Sequence, residues 1–72
     1  MTYTEMLQKA LADEVATVRL YLACMAVAPP GDIPKLLEVN ADETDHIAVI
    51  SSLLSKQTGE PVDYTKMIAG VS

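Results

Sequence analysis

Apolar side chains recur along the first third of the chain with the period of an α-helix. They follow one another in steps of four and three residues, the spacing of a helix that packs lengthwise against another helix. The seam runs through Leu7, Leu11, Glu14, Val18, Tyr21 and Met25, of which only Glu14 is charged. Thr2 and Glu5 have the spacing of a capping box, in which each side chain binds a free backbone N–H at the helix start. The pattern predicts a helix over residues 3–28.

A proline- and glycine-containing break separates this helix from a second one. The segment Ala28-Pro29-Pro30-Gly31-Asp32 ends the first helix, since proline lacks the backbone N–H and disfavours helical geometry in the residue before it. Asp32 is a suitable N-cap, and Pro34 falls in the first turn, where proline is tolerated. The second seam runs through Leu36, Val39, Glu43, His46, Ile50 and Leu53, with Leu37, Asn40, Ile47 and Leu54 alongside. We predict a helix over 33–57, ended by Gly59.

The last residues, 63–72, carry a shorter helical pattern. Asp63 can cap one or two turns. The apolar side of these turns consists of Tyr64, Met67, Ile68 and Val71. We predict a short helix or an ordered tail here. The predicted fold class is therefore all-α, an antiparallel two-helix hairpin in a single domain of residues 1–72.

A two-helix hairpin leaves each apolar seam open to water on one side. A 72-residue monomer buries only a modest share of its surface, and one cysteine cannot form a disulfide within the chain. A metal or an oligomer remains as the source of further stability. Two copies of the hairpin would form a four-helix bundle of ordinary domain size, so we expect a homodimer or a higher homo-oligomer.

Charge and hydropathy argue against several classes of function. Ten acidic side chains against five basic ones give a net charge of −5, which disfavours a nucleic-acid binder and a polybasic membrane anchor. The sequence has no apolar run of about 18 residues that would span a membrane. The N-terminal stretch lacks the basic start and apolar run of a signal peptide. We therefore expect a cytosolic (cytoplasmic) protein, or one held inside a cytosolic compartment.

Three seam positions carry side chains that do not belong in an apolar core. Glu14 lies on the first seam, and Glu43 and His46 occupy successive positions of the second. Residues three apart on a helix lie about 60° apart and one turn up, so Glu43 and His46 can converge on one point. No Lys or Arg lies three or four residues from either glutamate, and an unpaired buried carboxylate is very costly. We therefore expect a bound cation.

The ligand types narrow the choice of metal. Carboxylate and imidazole suit iron, manganese or zinc. One hairpin offers three ligands, whereas a two-fold dimer offers four glutamates and two histidines. A di-iron carboxylate site uses this set, with a Glu from each of two helices and a Glu-x-x-His from each of the other two. A two-fold dimer would therefore both bury more apolar surface and complete the ligand set.

At these residues the chain resembles the ferritin-like di-iron carboxylate superfamily, particularly rubrerythrin-type chains and encapsulated ferritins. The matching positions are Glu14, Tyr21 seven residues later and the segment 41–46, which reads ADETDH. The resemblance covers residues 5–57 and implies a ferritin-like bundle with two irons shared between subunits. It further implies that Glu14 is a terminal or bridging ligand, Glu43 a bridging ligand and His46 a terminal ligand. Tyr21 would be a hydrogen-bonding or redox-active neighbour.

The chain departs from the family in three respects. Rubrerythrins and ordinary ferritins carry four helices, whereas this chain carries two, which favours the encapsulated-ferritin arrangement. That arrangement implies an encapsulating protein shell as a partner, although residues 67–72 show no Gly-Ser-Leu targeting tag. The single cysteine also provides no pair for a rubredoxin-type electron-transfer centre.

The function expected from this resemblance is oxidation of Fe²⁺ by O₂ or peroxide, as a ferroxidase or peroxidase in iron handling or oxidative-stress defence. Two alternatives remain open. One is a non-catalytic helical oligomerisation or interaction module, in which the carboxylates contact a partner's Lys or Arg, or Glu14 pairs with His46. The other is a structural zinc or manganese ion on the same three ligands.

Other polar and reactive side chains have plainer interpretations. Tyr21 is equally consistent with a core residue whose hydroxyl binds a carboxylate, and Cys24 with a small buried apolar residue. The acidic residues beside the seams are interpreted as solvated faces, with an access path for cations as the alternative. They are Asp13, Glu38, Asp42 and Asp45.

Overall fold

The computed structural model describes residues 1–70, and every regular element in this range is helical. Helix α1 spans Tyr3–Val27 and helix α2 spans Ile33–Thr58, with a 3₁₀ turn at Pro30–Asp32 between them. The two long helices pack against each other as an antiparallel hairpin. The all-α class and both helices are confirmed: both predicted starts match, and each predicted C-terminal end differs from the observed one by a single residue. No described helix has the length and apolar character needed to cross a bilayer.

A short third helix, α3, spans Tyr64–Ala69. Asp63 caps it as predicted, since its carboxylate accepts a hydrogen bond from the Lys66 N–H at 3.2 Å. Gly70 ends α3 with a left-handed φ of 74°, a conformation that glycine adopts without steric cost. The prediction for residues 71–72, which included Val71 on the apolar side, lies outside the described residues.

The start of α1 is held by the predicted capping box. The Thr2 hydroxyl accepts a hydrogen bond from the Glu5 N–H at 3.1 Å, and the Thr2 N–H donates to the Glu5 carboxylate at 2.9 Å. The hydrogen bond from the Thr2 N–H to the Glu5 carboxylate, with a smaller contribution from the Thr2 side chain, lowers the pKa of Glu5 below its ordinary value of 4.5. Because the folded-state pKa is the lower one, the stabilisation is complete above the unfolded-state pKa. It is lost as the pH falls through the folded-state pKa.

Replacement of the cap residue tests this account of the helix start. Thr2→Ala is expected to lower the free energy of unfolding by about 1 kcal/mol, because the hydroxyl acceptor for the Glu5 N–H is lost. Chemical denaturation at neutral pH measures the change. An unchanged free energy of unfolding would contradict the role assigned to the box.

The ends of α2 differ in how closely they follow expectation. Gly59 ends the helix with a left-handed φ of 75°, and its N–H donates to the Ser55 carbonyl at 2.8 Å. Asp32 precedes the helix as predicted, but its side chain makes no capping hydrogen bond. The reason is local: the 3₁₀ turn holds Asp32 at φ −89°, ψ −17°, so the chain enters α2 without the extended geometry of a side-chain cap.

The core lies between α1 and α2 and extends under α3. Its buried apolar residues are Leu7, Leu11, Val15, Val18, Ile47 and Leu54. Val62, Tyr64, Met67 and Ile68, from α3 and the segment before it, pack against this cluster together with Ile50. The observed seam is therefore rotated from the predicted one, with Val15 rather than Glu14 at its centre. Helix α3 packs against one flank of the hairpin and extends the core on that flank.

The hairpin consequently has two different faces. At about 100° per residue, Glu14 and Arg19 lie on opposite flanks of the α1 seam. The Arg19 guanidinium lies against Gly70 at the end of α3, so α3 covers the flank that carries Arg19. Within residues 1–70 no helix covers the other flank. We call it the open face and define it by Tyr3, Met6, Glu14, Val39, Glu43, His46 and Leu53.

The exposed area of the chain is larger than that of a compact monomer of the same mass. The chain exposes 4997 Å², whereas a compact monomer of 7.7 kDa exposes roughly 4300 Å². The excess is comparable with the roughly 800 Å² that each partner buries in a standard interface. Large apolar side chains on the open face are themselves well exposed, among them Tyr3 and Met6 at 50% and Leu53 at 39%.

Candidate metal centre

Glu14 on α1 and Glu43 and His46 on α2 come together on the open face. One potential ligand atom from each residue lies within 4.8 Å of the other two. The short Pro30–Asp32 turn sets this register, since it brings the middle of α1 level with the middle of α2. The three-residue spacing then places Glu43 and His46 one turn apart on the same side of α2.

His46 lies between the two carboxylates at the outer side of the cluster. Its Nδ1 is 3.9 Å from Glu14 Oε2 and 3.7 Å from Glu43 Oε2, and both distances are longer than a hydrogen bond. The glutamate side chains are 27% and 22% exposed, whereas the His46 side chain is 58% exposed. The carboxylates are therefore more buried than the imidazole, which lies at the outer side of the cluster.

The negative charge of the cluster has little compensation within the described chain. Glu14 Oε2 is buried and has no hydrogen-bond partner among residues 1–70. The nearest basic residues on α1 are engaged elsewhere: Lys9 pairs with Asp13 at 2.6 Å, and Arg19 lies against Gly70 on the covered face. Two carboxylates held close together in a partly dehydrated site favour the binding of a cation.

The three residues fit a transition-metal ion. Ligand atoms bound to one metal at about 2.1 Å are roughly 3.0 to 3.4 Å apart. The distances of 3.7 and 3.9 Å around His46 Nδ1 exceed this by less than about 1 Å, which small side-chain rotations can remove. Two carboxylates and an imidazole suit iron, manganese and zinc. Glu14 Oε2, which lacks a partner in the described chain, is the atom that gains most from a bound ion.

A single chain leaves the cluster open on the His46 side. Residues 1–70 enclose no pocket, and three protein ligands do not fill the coordination sphere of these metals. A metal held here would take its further ligands from water or from a second molecule that packs on the open face.

Tyr21 lies on the same flank of α1 as Glu14, seven residues and about 10 Å along the helix. It is half-buried, and within residues 1–70 its hydroxyl takes part in no side-chain hydrogen bond. The structure thus places it near the cluster but shows no contact with the three ligands. Its role as a hydrogen-bonding or redox-active neighbour stays a prediction.

Asn40 is a residue near the cluster that sequence reasoning did not single out. Its Oδ1 is buried without a hydrogen-bond partner in the described chain, and it precedes Glu43 by one turn of α2. The signal was present in the sequence as a polar residue alongside an apolar seam, three positions before a candidate ligand. The acidic residues Asp13, Glu38, Asp42 and Asp45 are exposed and lie outside the cluster of three ligands.

Comparisons of the chain with protein-family models, with curated proteins and with solved structures find no match. The ferritin-like resemblance therefore stays a prediction, and the interpretation of the site depends on the geometry of Glu14, Glu43 and His46.

Proposed function

We propose that this chain is a metal-binding protein that holds two irons between two copies of the hairpin and oxidises Fe²⁺ with O₂ or peroxide. The observation that carries the proposal is the buried Glu14 Oε2, which lacks a partner within residues 1–70. It lies 3.9 Å from His46 Nδ1, beyond hydrogen-bond reach. A set of metal ligands explains this arrangement better than a direct Glu14–His46 pair, which would close to about 3 Å.

A second copy of the chain is the proposed occupant of the open face. This face carries both the incomplete ligand set and exposed apolar side chains such as Met6 and Leu53. The excess exposed area of the chain matches what one partner of a standard interface buries. A two-fold axis through the face would bring a second Glu14, Glu43 and His46 to the first, which gives the ligand set of a di-iron bundle site.

The residues of the chain have distinct tasks in this proposal. When bound, the two irons supply the two electrons that reduce O₂ to hydrogen peroxide, or hydrogen peroxide to water. The Glu14 and Glu43 carboxylates offset the extra positive charge of the ferric state and can each bridge two ions. The His46 imidazole completes the ligand set at its outer side. Tyr21 is the proposed neighbour that donates a hydrogen bond or an electron.

Oxidation of Fe²⁺ tests the proposed activity. Protein loaded anaerobically with Fe²⁺ and then mixed with O₂ is expected to form Fe³⁺ faster than buffer alone. Glu14→Gln keeps the shape of the side chain but removes its charge, so the rate should fall to that of buffer. Glu60→Gln, the same substitution at an exposed site, is the control and should match wild type.

The identity of the metal is tested separately from the activity. Element-specific X-ray fluorescence on protein purified without added metal is expected to show iron. Zinc or manganese at the site, with no oxidation above buffer, would replace the iron proposal by a structural metal site. A melting temperature that neither added metal nor a chelator changes would support the helical interaction module instead.

A further inference from the structure

A second buried acceptor lies on α2, one turn before Glu43. Asn40 Oδ1 is buried and has no hydrogen-bond partner in the described chain. Residues three apart on a helix are neighbours, about 5 to 6 Å between Cβ atoms. Helical side chains also lean toward the helix N-terminus, so the Glu43 carboxylate leans over the turn that carries Asn40. Asn40 and Glu43 are therefore neighbours on α2, one turn apart.

The hydroxyl of Thr44, one turn later on α2, does not satisfy this oxygen. Thr44 Oγ1 donates to the backbone carbonyl of Asn40 at 2.9 Å, not to its side chain. A buried amide oxygen without a donor destabilises the folded chain. A hydrated cation held at the cluster would supply such a donor, because its bound water points O–H groups outward.

We propose that Asn40 is a positioning residue of this centre, whose Oδ1 accepts a hydrogen bond from a water molecule carried by a cation at Glu14, Glu43 and His46. The inference rests on the proposed metal site and adds an outer hydrogen bond to it. Such outer partners orient the ligands of a metal and commonly change its affinity 10- to 100-fold. Asn40 thus makes the metal-free chain less stable and the metal-bound chain more stable.

Ser51 provides a contrast within the same helix. Its hydroxyl is also buried without a partner among residues 1–70, and the residue is 4% exposed. It follows Glu43 by eight residues, about 12 Å along α2, which is beyond the reach of a water on the cluster. Removal of either polar group should stabilise the metal-free protein, but only removal of Asn40 should affect the metal.

Anaerobic titration with Co²⁺, followed by its visible d–d absorption, tests the inference on the full chain. Asn40→Leu has nearly the same shape and lacks the acceptor, so its Co²⁺ affinity should fall roughly tenfold with a shifted band. Asn40→Asp keeps an oxygen at this position and should bind Co²⁺ at least as tightly as wild type. Ser51→Ala should show wild-type affinity. In metal-free protein, both Asn40→Leu and Ser51→Ala should raise the melting temperature.

The Co²⁺ titrations distinguish a failure of the Asn40 role from a failure of the metal site itself. Wild-type affinity and an unshifted band in Asn40→Leu would overturn the role of Asn40 and leave the metal site intact. Failure of the wild-type protein to take up Co²⁺ would overturn both. If circular dichroism shows that Asn40→Leu is unfolded, Asn40→Ala, which favours the helix, gives the same comparison.

Discussion

Glu43→Ala is expected to abolish saturable Fe²⁺ binding, with a loss of affinity of more than about 100-fold. Glu43 is the ligand closest to His46 and shares the buried side of the cluster with Glu14. In the metal-free state the same substitution removes one of two converging carboxylates. Metal-free Glu43→Ala should therefore be at least as stable as wild type, which separates loss of binding from loss of folding.

Thermal unfolding with and without metal measures this effect. A metal present at 100 times its dissociation constant stabilises the folded state by about 2.7 kcal/mol, which for a domain of this size raises Tm by roughly 10 to 20 °C. The Tm of Glu43→Ala should not rise when metal is added, and a chelator should remove the metal-dependent rise in the Tm of wild type. Glu60→Ala is the matched control, and its Tm should rise as much as that of wild type. An undiminished rise in Glu43→Ala would show that the metal binds elsewhere.

Leu53→Lys is expected to convert the proposed homodimer into a monomer. Leu53 lies on the open face and is 39% exposed in the single chain, so the proposed interface covers it. Burial of an unpaired ammonium costs at least about 2 kcal/mol, which corresponds to a roughly 30-fold weaker dimer. Because the proposed second copy would supply half of the ligands, Fe²⁺ affinity should fall together with dimerisation.

Analytical ultracentrifugation of metal-loaded protein distinguishes the outcomes. Leu37→Lys is the matched control, because Leu37 is 53% exposed and points away from the open face at about 100° per residue. It should remain dimeric and bind Fe²⁺ like wild type. Equal dimer fractions in the two variants would show that the open face is not the interface.

Local physical chemistry explains why the long helices could be predicted. The Thr2–Glu5 capping box, the Pro29-Pro30-Gly31 break and the left-handed Gly59 each act within a few residues, so the sequence determines them without reference to the rest of the fold. The same holds for the convergence of Glu43 and His46, which follows from the three-residue spacing on one helix.

Tertiary packing explains what could not be predicted. The seam pattern placed Glu14 at the centre of the core, whereas the buried residue at this level is Val15. Which side of a helix is buried depends on how α1, α2 and α3 pack together, and no local pattern reveals where a short terminal helix will pack. The side-chain oxygen of Asn40 could not be recognised as buried and unpaired for the same reason, because its burial depends on the relative rotation of α1 and α2.

Native mass spectrometry of protein loaded anaerobically with Fe²⁺ tests most directly whether two copies of the chain share a di-iron site. We predict a dimer that carries about two irons, and no retained iron in a variant that combines Glu14→Ala, Glu43→Ala and His46→Ala. A monomer free of iron, or equal iron retention by wild type and this triple variant, would contradict a di-iron site shared between two copies of the chain.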